Sequence, residues 1–271
     1  FGLVVAEYDA DVNERLNGSA NFIGDGYDWS GVGQTSDGRW VTMISDQYFI
    51  SVNHLSPVGA SPVRFYTGNS AAVFEDYTVD STYGIQLNTP QGLSDIWIGR
   101  LTTAVSSNIA SYDIFDPGGD PNTLEGETVF TVGISLAGNF LNFRVGENVL
   151  DLGGGGLGVD IRTQPEFPAG YSGWSSTMTY SGLPGDTQFQ LGDSGGPTFI
   201  INNGFLELVG VHSLVSDFDP TPGDISIDSL VAGYRQEILA IITPVPEPGS
   251  VVLLMLAGCG WALRRRRRET H

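Results

Sequence analysis

Gln190-Leu-Gly-Asp-Ser-Gly-Gly-Pro197 is the stretch on which the reading of this chain turns. Glycine lies one residue after Ser194 and two before it, and this freedom lets the backbone turn sharply around an exposed hydroxyl. Such a turn can aim successive N–H groups at one point, and those of Gly192 and Ser194 are candidates for an oxyanion hole. Asp193 next to the serine can hold the loop through a buried pairing. The bland alternative is a Gly-rich turn with an exposed serine, and the rest of the chain weighs on the choice.

The 271 residues are 41% hydrophobic and 16% charged, enough apolar material for a sizeable core. The 37 Gly and 14 Pro are spread along the chain and punctuate short β-branched and aromatic runs. Trp40–Ile44, Tyr48–Val52, Val63–Tyr66, Ile96–Ile98, Val129–Ile134, Thr198–Ile201 and Phe205–Val211 all have strand character. Their spacing predicts an all-β barrel or sandwich. Only Leu230–Ile242 has helical spacing, with Asp228 and Ser229 as candidate caps. The loop Asp113–Asn122 is the candidate connection between two halves. Asp151–Gly158 is rich in glycine but lacks the Lys and Ser/Thr of a phosphate cradle, so it reads as a flexible loop.

All 12 basic residues are Arg, and five of them are Arg264 to Arg268. The formal net charge is −19, and without residues 244–271 the body has 7 Arg against 29 acidic residues, or −22. That field repels phosphate backbones and excludes nucleic-acid binding as the expected function. The single Cys, Cys259, lies in the C-terminal apolar run, so the body has neither a disulfide nor a Cys-based metal site. The acidic loops lack the EF-hand pattern, and no metal or cofactor is expected.

The hexapeptide Gly192-Asp-Ser-Gly-Gly-Pro197 resembles the nucleophile loop of the trypsin/chymotrypsin-like serine proteases. The resemblance implies two orthogonal six-stranded β-barrels plus a C-terminal α-helix, here over residues 22–243. It also implies a catalytic His and Asp upstream of the Ser, in that order. His54 is the one His before Ser194 and follows the strand-like Phe49-Ile-Ser-Val52. Asp95 opens Ile96-Trp-Ile-Gly-Arg-Leu101, resembling the family's Asp strand; a carboxylate there needs a partner. Leu208–Val215 resembles the strand whose Ser bonds the triad Asp, a role that would fall to Ser213. In the departures, Val52-Asn53 replaces the usual small pair and no Cys follows His54. The family also pairs the Asp193 counterpart with a freed N-terminal amine, yet no Arg or Lys precedes the weakly similar Asn21–Gly26. Another cation or an unusual cleavage is then required.

The mechanism implied is acyl transfer. His54 takes the Ser194 proton, Asp95 fixes the imidazole, and Gly192 and Ser194 N–H groups receive the oxyanion on a protein or peptide substrate. The pocket base falls on Gln188, which is not acidic, with Phe189, His212, Ser213, Leu214 and Val215 around it. Phe189 and Val215 narrow the pocket and imply a small apolar side chain before the scissile bond. His212 offers a rival preference for Glu, opposed by the nearby Asp217, Asp219, Asp224 and Asp228.

Residues 1–21 read either as a first strand or as the remnant of a secretory signal. Residues 244–271 form a tripartite tail: Pro246-Glu247-Pro248, an apolar run to Leu263, and the five Arg. The run Gly249–Leu263 is 15 residues, short of the ~20 that span a bilayer comfortably. The tail resembles the PEP-CTERM sorting signal of bacteria. That resemblance implies a linker, a short apolar tail helix, export to the cell envelope or matrix, transient membrane anchoring and recognition by an exosortase-type enzyme. The competing functions are an inactive protease homologue serving as a matrix binding module, and a surface structural protein defined by its tail.

Overall fold

The computed structural model describes residues 2–60, 62–90, 92–135, 142–151 and 173–243. Two compact units divide the chain, residues 1–235 and 236–271. The first carries every described strand.

Strands β2 (Val32–Thr35), β3 (Trp40–Met43), β4 (Tyr48–Val52), β5 (Val63–Tyr66), β6 (Phe74–Tyr77), β7 (Val79–Thr89) and β8 (Gly92–Leu101) form one antiparallel sheet. Its order is β6-β5-β2-β3-β4-β8-β7. The edge strands β6 and β7 are separated in the chain by Thr78 alone. Tyr77 pairs with Val63 at one edge and Val79 with Leu101 at the other, so the sheet must curl until its edges meet. Val41, Phe49, Val63, Phe65, Trp97 and Leu101 fill the interior. Burying each such side chain contributes roughly 1.5–3 kcal/mol before chain entropy is counted.

The second sheet contains β9 (Thr128–Ile134), β10 (Phe143–Val149), β11 (Ser175–Thr179), β13 (Pro197–Asn202), β14 (Phe205–Val215) and β15 (Ile225–Leu230). Its order is β10-β9-β13-β14-β15-β11. Asp151, just past β10, bridges to Thr177 of β11, which brings this sheet's edges together too. Leu3, Val5, Val129, Met178, Phe189 and Val209 belong to its core. The two expected six-stranded barrels are thus curled sheets of seven and six strands. The additional strand comes from residues 74–89, where partly exposed edge strands lack the apolar runs that marked the others.

A two-stranded pair adds β1 (Val4–Val5) to β12 (Thr187–Gln188). Residues 3–6 are therefore woven into the second half, with Leu3 fully buried and its N–H donating to the Ile134 carbonyl at 3.0 Å. The expected helix over Leu230–Ile242 is shorter: the α-helix is Arg235–Ile242, preceded by a 3-10 turn at Ala232–Tyr234. Asp228, Ser229 and Leu230 are not a cap; they pair with His212, Val211 and Gly210 as the end of β15. The two halves meet through aromatic rings. Trp29 lies 5.8 Å from both Phe130 and Phe199, and Tyr112 lies 4.6 Å from Phe199.

The Gly-rich segment beyond Asp151 and the expected tail helix, with Pro246, Glu247 and Pro248, lie outside the described residues. Among the described residues no helix is long and apolar enough to cross a membrane.

Candidate active site

Sheet register brings His54 to Asp95. Strand β4 pairs antiparallel with β8, Val52 opposite Ile96, so the next residues out are Asn53 and Asp95. The Asn53 N–H donates to the Asp95 carbonyl at 2.6 Å, continuing the ladder. His54 then turns its side chain back over the Asp95 carboxylate. Its Nδ1 lies 2.7 Å from Oδ2, and its backbone N–H donates to Oδ1 at 3.0 Å. Asp95 is fully buried, whereas the His54 side chain is 25% exposed. A buried carboxylate without partners costs several kcal/mol. Here the pair of donors satisfies it and orients the imidazole with Nε2 away from the acid.

Ser194 comes from the turn between β12 and β13. Gly192 has φ +99, a left-handed value, and a Cβ there would lie 2.7 Å from the Ile134 side chain. A Cβ on Gly196 would meet the Val132 carbonyl at 2.4 Å. Glycine is thus demanded both by conformation and by close approach. Within the loop, Asp193 N–H donates to the Gln190 carbonyl at 3.0 Å, Gly195 N–H to His212 at 2.8 Å and Gly196 N–H to Asp193 at 2.8 Å. The Gly192 and Ser194 N–H groups make no hydrogen bond among the described residues. They remain available to an oxyanion.

Asp193 is fully buried and bridges the loop to β9. Its Oδ1 accepts from Ile134 N–H and its Oδ2 from Gln190 N–H, each at 2.7 Å. Burial pushes its carboxyl up to about 7, against the pull of these N–H donors and of Arg144. No cation pairs directly with it among the described residues. Arg144 instead binds Glu14 at 3.0 Å and the Leu3 carbonyl at 2.9 Å.

His54 and Ser194 line one pocket of about 250 Å³ together with Phe189, His212, Ser213, Leu214 and Val215. Among the described residues no hydrogen bond joins His54 to Ser194; such contacts often tighten only when substrate binds. Gln188 does not line the pocket. It is fully buried in β12, and its Nε2 donates to the Asp217 carbonyl at 2.9 Å. Ser213 lines the pocket, but its hydroxyl meets Ser229 at 2.8 Å rather than Asp95. A register shift between His212 and Leu214 accounts for this, because Ser213 falls on the bulge. His212 is buried, stacks on Phe189 with ring centroids 3.6 Å apart, and places Nε2 3.2 Å from the Thr198 hydroxyl. Burial pushes its imidazole down to about 3, so it is neutral. Gln190, Leu191 and Phe218 also line the pocket and were not singled out by motif. Of these, Leu191 carries a local signal, an apolar residue directly before Gly192 in the Ser194 loop.

Comparison with known families bears on the other end of the chain. Residues 244–268 match the model of the PEP-CTERM protein-sorting motif. The motif marks an exported protein, directed to the cell envelope and recognised by an exosortase-type sorting enzyme. The match stops short of the β-rich body. Among curated proteins, none matches this chain.

Proposed function

We propose that this PEP-CTERM protein is a serine endopeptidase that cleaves peptide bonds through an acyl-enzyme. The observation that carries the reading is the His54–Asp95 contact of 2.7 Å beside a pocket shared with Ser194. In this mechanism His54 Nε2 takes the Ser194 proton as Oγ attacks the substrate carbonyl. Asp95 keeps the Nδ1 proton in place and stabilises the imidazolium. The free N–H groups of Gly192 and Ser194 receive the developing oxyanion, and His54 returns its proton to the leaving amine. Water, activated by His54, then releases the acid.

The pocket favours a neutral apolar side chain before the scissile bond over Glu. His212 is neutral and covered by Phe189, and no Arg or Lys lines the pocket. A buried carboxylate would find no cation there.

The reading predicts turnover of unstructured peptides by the full chain. Ser194→Ala removes it to background, and Asp95→Asn lowers kcat by about 10³–10⁴ with the fold intact. A second reading, an inactive homologue that binds peptide in the matrix, draws on the absent His54–Ser194 hydrogen bond. Equal turnover by the Ser194→Ala variant and the parent would favour it and overturn the protease.

A further inference from the structure

Two exposed apolar side chains stand at the mouth of the pocket. Leu191 is 56% exposed and Phe218 is 44% exposed, while Phe189 and Val215 below them are buried. Large apolar groups left in water beside a concave apolar wall gain when a ligand covers them.

The loop that presents Phe218 is held in place. The Asp217 carboxylate accepts from Phe218 N–H at 2.6 Å and from Asp219 N–H at 3.1 Å. The Asp224 carboxylate accepts from Thr221 N–H at 2.8 Å. From beneath, the buried Gln188 amide donates to the Asp217 carbonyl at 2.9 Å and lies 3.4 Å from the Asp224 carboxylate. Gln188 therefore anchors both ends of the segment that carries Phe218. The pocket volume is about 250 Å³, and a cavity of ~150 Å³ already admits a benzene ring. There is room for more than a methyl or isopropyl group.

We propose that Leu191 and Phe218 are the two jaws of the specificity pocket and commit it to a large apolar side chain, such as Phe or Leu, on the substrate. Gln188 is a positioning residue that holds the Phe218 jaw. The proposal rests on the protease reading for its chemistry and sharpens it, replacing the small side chain expected from Phe189 and Val215 with a bulky one.

The test separates binding from chemistry. In full-length Ser194→Ala protein, N-acyl tetrapeptide acids ending in Phe, Leu, Ala or Glu are titrated by calorimetry. In parallel, the parent is treated with a fluorophosphonate. The expected order is Phe and Leu tighter than Ala by about tenfold or more, with Glu weakest. Adding Phe218→Ala or Leu191→Ala, both at exposed positions, is expected to cut the Phe-over-Ala ratio at least threefold while Ala binding stays within about twofold. Gln188→Ala is expected to act in the same direction. In otherwise active protein it should raise KM for the Phe substrate more than it lowers kcat. Labelling of Ser194 without any preference for Phe or Leu overturns the jaws and leaves the protease reading standing. Selective binding without labelling overturns the protease and leaves the jaws. A Phe218→Ala protein with unchanged selectivity overturns the jaw assignment.

Discussion

The peptide unit between Gly192 and Asp193 is held at both ends. The Trp40 indole Nε1–H donates to the Gly192 carbonyl at 3.0 Å from the other sheet, and the Asp193 N–H donates to Gln190 at 3.0 Å. Fixing that plane restricts the N–H groups on either side of it, those assigned to the oxyanion. Trp40→Phe keeps an aromatic ring against Phe143, now at 5.0 Å, and removes the donor together with one ring of the buried indole. A lost bond of ~1 kcal/mol predicts a fall in kcat of about fivefold to tenfold with KM within about twofold. Stopped assays on both proteins check it, and an unchanged kcat would show that the loop is held without Trp40. At this scale the sequence is legible where a motif is local: Gly192 to Pro197 forms the turn its glycines demand, and His54 follows the end of β4, whereas Asp95 lies inside β8 rather than opening it. It was illegible where the partner is remote. Asp193 accepts from Ile134, 59 residues away, and pairs with no cation among the described residues. Gln188 is not among the residues lining the pocket, and its strand β12 pairs with β1, a contact that no local pattern announces.

Alternating and β-branched runs predict strands, and the core strands β3, β4, β5, β8, β9, β13 and β14 lie where those runs are. Three elements depart from that pattern: β6, β7 and the helix. The edge strands β6 and β7 expose much of their length, so hydrophobicity gives them no signal. In Leu230–Ile242 a strand end abuts a helix, and their apolar residues run together into one false helical period. The cost of that strand is Asp228, fully buried on β15 opposite His212. Burial pushes its carboxyl from 3.8 up to about 8, against a smaller pull from the Thr198 hydroxyl. Because the folded value lies above the unfolded one, the fold binds a proton that the unfolded chain releases between about pH 4 and pH 8. Stability therefore declines across that window, by up to ~1.4 kcal/mol per pH unit from this group. Asp228→Asn removes this group's share of the decline and leaves that of Asp193, whose carboxyl is also raised by burial. Thermal melts are expected to coincide with the parent near pH 4 and to lie several degrees higher at pH 8. A variant that melts below the parent at pH 8 would contradict this.

At the scale of the whole molecule, two curled sheets each supply part of one candidate site. The first supplies His54 and Asp95 through the β4–β8 register, and the second supplies Ser194 and the pocket wall. The chain order His, Asp, Ser and the acidic, Gly-rich composition were visible in the sequence. The curling was not, since it follows from edges that meet across a single residue in one sheet and a single bridge in the other. The PEP-CTERM motif at 244–268 adds an address to this body: an exported protein handled by an exosortase-type enzyme. A protease so exported would act on substrates outside the cytoplasm. The central claim is that Ser194 is activated by His54, and the most direct measurement is intact-mass analysis of the full-length chain after fluorophosphonate treatment. The account predicts one adduct, mapped to Ser194, and none in the Ser194→Ala or His54→Ala protein. A folded parent that takes no adduct, or takes one that survives His54→Ala undiminished, would contradict it.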